Sequence, residues 1–175
     1  MIGAVAANRR RISAPWTGSN VSITFLGGQE YQIAKTNSGN WNAAAWFPDL
    51  RDGDMRFRVQ PQQANAYLAL GLTTATGVTL DTGPLAEHVY VRGDGGYTAS
   101  TGYTSNAGPT YPYQAGHLFW FERIGSVAKM YVGGTGSFET AVPYHTFGSD
   151  AGDTDRPKIV IRDQNASVRV IYYPL

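Results

Sequence analysis

The run Gly116-His117-Leu118-Phe119-Trp120-Phe121-Glu122-Arg123-Ile124-Gly125-Ser126-Val127-Ala128-Lys129-Met130-Tyr131-Val132-Gly133-Gly134 constrains this chain more than any other. Positions 118 to 121 are apolar without interruption. Successive side chains of an extended strand face opposite ways, so a strand apolar at every position must be covered on both sides. The tight Ile-Gly-Ser turn then sends the chain back antiparallel. A hairpin that needs cover on both faces belongs at the centre of a β-sandwich.

Period-two alternation recurs elsewhere. In Asp54-Met55-Arg56-Phe57-Arg58-Val59-Gln60, Met55, Phe57 and Val59 share one face while Arg56, Arg58 and Gln60 share the other. Strands of the same kind are expected at 21–26, 31–34, 67–73, 88–92, 158–162 and 167–173. Gly and Asx turns separate them, as at Gly27-Gly28, Asn37-Ser38-Gly39-Asn40, Arg51-Asp52-Gly53-Asp54 and Gly93-Asp94-Gly95-Gly96. Helical periodicity is nearly absent and no repeat of 20 to 50 residues is visible, which disfavours βαβ units, propellers and solenoids. The predicted class is all-β, an antiparallel two-sheet sandwich of jelly-roll type. Phe57, Val59, Leu70, Leu118, Trp120, Met130, Ile161 and Val170 are expected to share its core.

At 175 residues the chain is one domain of ordinary size. Residues 1–18, rich in Ala and Arg, read as an N-terminal arm that orders on a partner or a neighbouring subunit, and residues 19–175 as the sandwich. With no Cys, disulfides, thiolate metal sites and thiol nucleophiles are excluded. A formal net charge of +1 argues against general nucleic-acid binding. Residues 1–7 are too short for a signal peptide, and their positive charges follow the apolar part instead of preceding it. No segment reaches the ~18 apolar residues of a membrane span. The chain is therefore expected to be a complete, unprocessed soluble protein.

The order Phe57-Arg58-Val59, Leu70-Gly71-Leu72-Thr73, Gly116 to Arg123, and Val127 to Val132 with Gly133-Gly134 resembles the concanavalin A-like lectin/glucanase sandwich. The laminin-G and SPRY-like branches are the most similar, over roughly residues 50 to 135. The resemblance implies two curved antiparallel sheets, one of them often concave enough to hold a glycan. Short Cys-free chains rich in Tyr, Gly and Thr also resemble bacteriophage virion proteins such as tail-fibre tips and head spikes. That likeness implies location in a phage particle and partner virion proteins bound through the N-terminal arm. The apolar arm and the many Tyr of a Cys-free sandwich predict self-association, as a trimer or another small closed ring.

Glycan recognition combines flat aromatic faces for the C–H side of a pyranose with planar or charged groups for its hydroxyls. Candidates are Trp41, flanked by Asn40 and Asn42, and the long connection 93–116, which carries Tyr97, Tyr103, Tyr111, Tyr113 and Asn106. Trp41 and Trp46 are five residues apart, so on one strand they would face opposite sides; Trp46 is expected in the core and Trp41 exposed. The alternatives are that both rings cap the core edge, and that 93–116 forms only extra strands. Glycanases of this fold usually place Glu-x-Asp-x-x-Glu on one strand. No such triplet occurs here, and Glu122 reads as an ion pair with its neighbour Arg123. Asp150, Asp153 and Asp155 offer oxygen ligands at spacings that suit Ca²⁺, with a solvated Asx turn as the alternative. His88, His117 and His145 are scattered and read as structural. These readings predict a non-catalytic, lectin-like adhesion module that binds a bacterial surface glycan. A purely structural virion component is the first alternative, and a polysaccharide-degrading enzyme the second.

Overall fold

The computed structural model describes residues 16–47, 51–52, 54–73, 87–101, 111–133, 137–146 and 154–174. Its strands are β1 (Thr17–Ser19), β2 (Val21–Gly27), β3 (Glu30–Lys35), β4 (Ala43–Trp46), β5 (Arg51–Asp52), β6 (Met55–Pro61), β7 (Leu68–Thr73) and β8 (Glu87–Val91). They continue with β9 (Gly96–Thr101), β10 (Tyr111–Pro112), β11 (Phe119–Ile124), β12 (Val127–Val132), β13 (Val142–Thr146), β14 (Thr154–Ile161) and β15 (Ser167–Pro174). A single 3₁₀ turn, Phe138–Thr140, is the only helical element among the described residues, and no described helix is long and apolar enough to cross a membrane.

The strands form two antiparallel sheets. Sheet I has the order β1-β4-β14-β7-β8-β9-β10, with β5 also pairing β14; sheet II has the order β13-β12-β11-β6-β15-β3-β2. The expected sandwich is present. Alternate residues of each sheet meet in one core: Ala43, Ala45, Leu68, Leu70, Leu72, Val89, Ile159 and Ile161 from sheet I, and Ile33, Phe57, Val59, Phe119, Phe121, Met130 and Val170 from sheet II. Phe57 and Phe121, directly paired across β6 and β11, stack with centroids 4.7 Å apart. Each such ring contributes about 1.5–3 kcal/mol by leaving water. At the hairpin between β11 and β12, Gly125 takes φ +57, a conformation glycine adopts without strain, and its N–H donates to Asp54 Oδ1 at 2.8 Å.

Three expectations need correction. Leu118 and Trp120 are buried, but not in the inter-sheet core. Trp120 lies between Phe119 and Phe121, which point inward, and so occupies the outer face of sheet II. Glu122 is bound by Arg56 and not by Arg123, because neighbours on a strand face opposite ways; it stands opposite Arg56 in the register. Residues 16–18, assigned by sequence to the arm, are folded: Trp16 is buried edge-on against Phe47, and Thr17 and Gly18 pair with β4. The rest of that arm lies outside the described residues.

Candidate functional site

The outer face of sheet I starts from a row of small side chains. Ala44 of β4 stands opposite Val160 of β14, Val160 opposite Ala69 of β7, and Ala69 opposite Tyr90 of β8. Ala44, Ala69 and Val160 form a buried floor on which Trp41, Trp46 and Tyr90 pack. Ala43, Ala45 and Phe47 point the other way, into the core. Trp46 therefore belongs to the outer face and not to the core, a correction to the sequence expectation. The parity rule fails because β4 begins only at Ala43. Trp41 precedes it at φ +26, in the left-handed region, and this bend brings both indoles to the same side.

The Trp41 ring stacks on Tyr90 with centroids 5.7 Å apart and planes inclined by 30°. Tyr67 continues the aromatic surface 6.1 Å from Tyr90, and the Arg162 guanidinium lies 4.3 Å from the Tyr67 centroid. A Cβ at Gly93 would fall 2.4 Å from a Tyr67 ring carbon, so the absence of a side chain there lets the ring settle. Both Arg92 and Arg162 keep about a third of their side chains exposed, at 34% each. Burial, and then the neighbouring Tyr67, pushes the Tyr90 hydroxyl above its ordinary pKa, so it stays a neutral donor and acceptor at physiological pH.

The turn carrying Trp41 is anchored from below. Lys35 Nζ donates to the Ile161 carbonyl at 3.4 Å and also to the carbonyls of Gly39 and Arg162. Burial lowers the Lys35 pKa. Asn20 Nδ2 donates to the Asn42 carbonyl at 2.6 Å, while Asn42 Oδ1 is buried without a hydrogen-bond partner among the described residues. Farther along the same face, His88, Thr98, Lys158, Arg156 and Thr73 occupy outward register positions and are nevertheless buried. The nearby carboxylates are engaged: Asp163 Oδ2 accepts from the Tyr67 N–H at 2.6 Å, and Asp94 pairs with Arg92 at 2.5 Å. The assembly offers flat aromatic area beside amide and guanidinium groups, the combination that suits a polyhydroxylated ring.

The other predicted site residues are dispersed. The connection 93–116 contributes an extra strand pair, with Tyr111 of β10 opposite Tyr97 of β9. Tyr97 is buried in the core against Phe119, and so faces the opposite side of sheet I from Trp41. Tyr113 is buried too, and its hydroxyl donates to the Gln63 carbonyl. Of the three described tyrosines of this connection only Tyr111 is exposed, where it meets Tyr144 of β13 edge-on at the rim between the two sheets. The expected common ligand face of Trp41 with these tyrosines is therefore not assembled: strand parity turns Tyr97 inward. Tyr103 and Asn106 lie outside the described residues. So do Asp150, Asp153 and the side chain of Asp155, whose backbone pairs with Arg51. Among the described residues no cluster of three metal-ligating side chains occurs. Sequence reasoning missed Tyr67, Tyr90 and Arg162. The alternation that places Tyr90 opposite Val89 and Val91 was legible, but its contact with Trp41 crosses four strands.

No protein-family model matches the sequence, and no curated protein sequence matches it. Solved structures do match the fold. The exoplasmic/lumenal domain of VIP36 in its Ca²⁺/Man-bound form aligns with a TM-score of 0.60 at 9% identity, over 92% of this chain and 83% of that one. The SPRY domain of human HERC1 aligns at 0.59 with 8% identity, over 90% and 94%. The metal-free carbohydrate recognition domain of Emp46p aligns at 0.57 with 12% identity, over 97% and 92%. The chain thus has the concanavalin A-like sandwich fold shared by SPRY domains and lectin carbohydrate recognition domains.

Proposed function

We propose that this chain is a non-catalytic, lectin-like module that binds carbohydrate on the outer face of sheet I. The observation that carries the reading is the Trp41–Tyr90 stack, held on a floor of Ala44, Ala69 and Val160 with Arg162 and Tyr67 beside it. Similarity of fold to carbohydrate recognition domains supports it. In the fuller reading the module serves adhesion to a surface glycan within a larger particle, with the phage setting resting on composition alone. Self-association into a small closed ring, a trimer above all, belongs to the same reading. It is supported by Phe25 and Val142, which are 61% and 65% exposed on the two edge strands of sheet II. Light scattering at micromolar concentration that finds only monomer removes that part.

A glycan array probed with the intact chain and with Trp41→Ala tests the core of the proposal. Stacking of this kind contributes about 0.5–1.5 kcal/mol per ring pair, so the variant should bind several-fold more weakly while melting only a few degrees lower. Absence of binding by the intact chain, or equal binding by both, overturns the reading.

A further inference from the structure

The outer face of sheet II carries a second concavity that the proposed function does not use. Its register sets Tyr173, Arg56, Glu122 and Lys129 in one row across β15, β6, β11 and β12, and Ile171, Arg58, Trp120 and Tyr131 in the next. Arg56 donates to Glu122 Oε2 from Nε at 3.1 Å and from Nη2 at 2.5 Å, and Tyr131 O–H donates to Oε1 at 3.2 Å. Above them the 3₁₀ turn sets Phe138 edge-on to Tyr131 at 4.7 Å and to Trp120 at 5.7 Å, with the Arg56 guanidinium 3.5 Å from its centroid. Trp120 stacks on Tyr173 at 5.9 Å and donates its indole N–H to the Gly133 carbonyl at 3.1 Å. The result is a cleft of about 200 Å³ lined by Arg56, Trp120, Ser137, Phe138, Glu139 and Tyr173.

We infer that this cleft is a second binding site, specific for a single neutral sugar ring, so that the module engages carbohydrate from both outer faces. The inference rests on the carbohydrate reading above and adds the ligand class and the valency. Size limits what the cleft can enclose: at about 200 Å³ it is smaller than the roughly 300–1,000 Å³ of drug-sized pockets and has room for one ring. Trp120 is buried beneath Phe138 and Tyr173, and these two half-buried rings supply the flat area for the C–H face of a pyranose, beside polar groups. The polar groups come in both signs. Arg56 is already neutralised by Glu122, while Glu139 is an exposed carboxylate that accepts from Ser137 Oγ–H at the mouth. A charged ligand would meet a like charge close to its partner. A neutral polyol, whose hydroxyls both donate and accept, uses the remaining Arg56 N–H groups and the Glu139 oxygens together. Ligand enters against groups that are already fixed, since Phe138 and Glu122 hold the guanidinium in place, which lowers the ordering cost of binding.

Calorimetric titration with the methyl glycosides of mannose, glucose and galactose, on the intact chain and on Trp41→Ala, Tyr173→Ala and Glu139→Gln, decides the matter. For the glycoside that binds, the intact chain should take up two equivalents. Trp41→Ala should keep one, and the double variant Trp41→Ala/Tyr173→Ala should lose it by tenfold or more. Glu139 is exposed, so Glu139→Gln tests the cleft even where Tyr173→Ala fails to fold, and should weaken the remaining site several-fold. One equivalent on the intact chain and none on Trp41→Ala overturns the second site and leaves the proposed function standing. No uptake of any glycoside and no glycan-array signal overturns both. Tighter binding of glucuronate or glucosamine than of a neutral glycoside to the Trp41→Ala cleft overturns the ligand class.

Discussion

Tyr97 and Tyr111 face each other across one antiparallel pair, yet truncating them should have very different consequences. Tyr97 is 5% exposed and Tyr111 is 42% exposed. The rings of Phe119, Tyr144 and His117 surround Tyr97 with centroids 5.1, 5.2 and 5.6 Å away. Tyr97→Ala would open a cavity beneath all three, and losing a buried aromatic in this way costs about 3–5 kcal/mol. Tyr111 has much of its ring in water already, and among the described residues its ring contacts are with Tyr97 and Tyr144, so Tyr111→Ala should cost about 1 kcal/mol. For a chain of this length each kcal/mol moves Tm by about 2–4 °C. Tyr97→Ala should therefore melt roughly 6–20 °C below the parent, and Tyr111→Ala about 2–4 °C below it, when followed by circular dichroism. Equal shifts for the two variants refute the argument. So does a Tyr97→Ala protein that melts like its parent while losing sugar binding, because that result would make Tyr97 a ligand contact.

Glu122→Ala should destabilise the chain by about 2–4 kcal/mol in urea unfolding, because Arg56 and the Tyr131 hydroxyl lose a largely buried acceptor; a change under 0.5 kcal/mol contradicts this. Burial lowers the His117 pKa, so the unfolded chain takes up a proton before the native one does. Stability should then be full above pH ~6.5 and fall as pH drops below it, and His117→Phe should flatten this dependence; an unchanged profile in the variant would exclude His117 as its source. Burial pushes the Tyr113 hydroxyl up to about 12, and burial followed by the neighbouring Tyr97 and Tyr111 does the same to Tyr144. The native state holds protons that the unfolded chain releases near pH ~10, so stability should fall as pH rises from ~10 towards 12. Ultraviolet titration of phenolate should show these two groups ionising late or only on unfolding, and normal ionisation of every tyrosine counts against their burial.

Much of the sandwich was legible because alternation is a local property. Met55, Phe57 and Val59 face the core and Arg56, Arg58 and Gln60 do not, as the spacing requires whatever lies across the sheet. The two-sided cover of Phe119 to Phe121 was legible in the same way. The identity of that cover was not. Trp120 is sheltered by Tyr173 and Phe138, residues that reach it from a distant strand and from a turn beyond β12.

The sequence by itself determined the all-β class, most strand positions and the inward and outward sets within each strand, because these follow from a period of two and from Gly and Asx turns. Only the tertiary structure decided which rings meet. Parity holds along a strand but stops where the strand stops, so the bend at Trp41 moved its indole to the side of Trp46; Tyr111 shares the inward face of its partner Tyr97 and is exposed because β10 is the edge of sheet I. Pairing across strands is set by register over gaps of tens of residues. Arg56 therefore found Glu122 and Trp41 found Tyr90 through sheet geometry that no local pattern encodes.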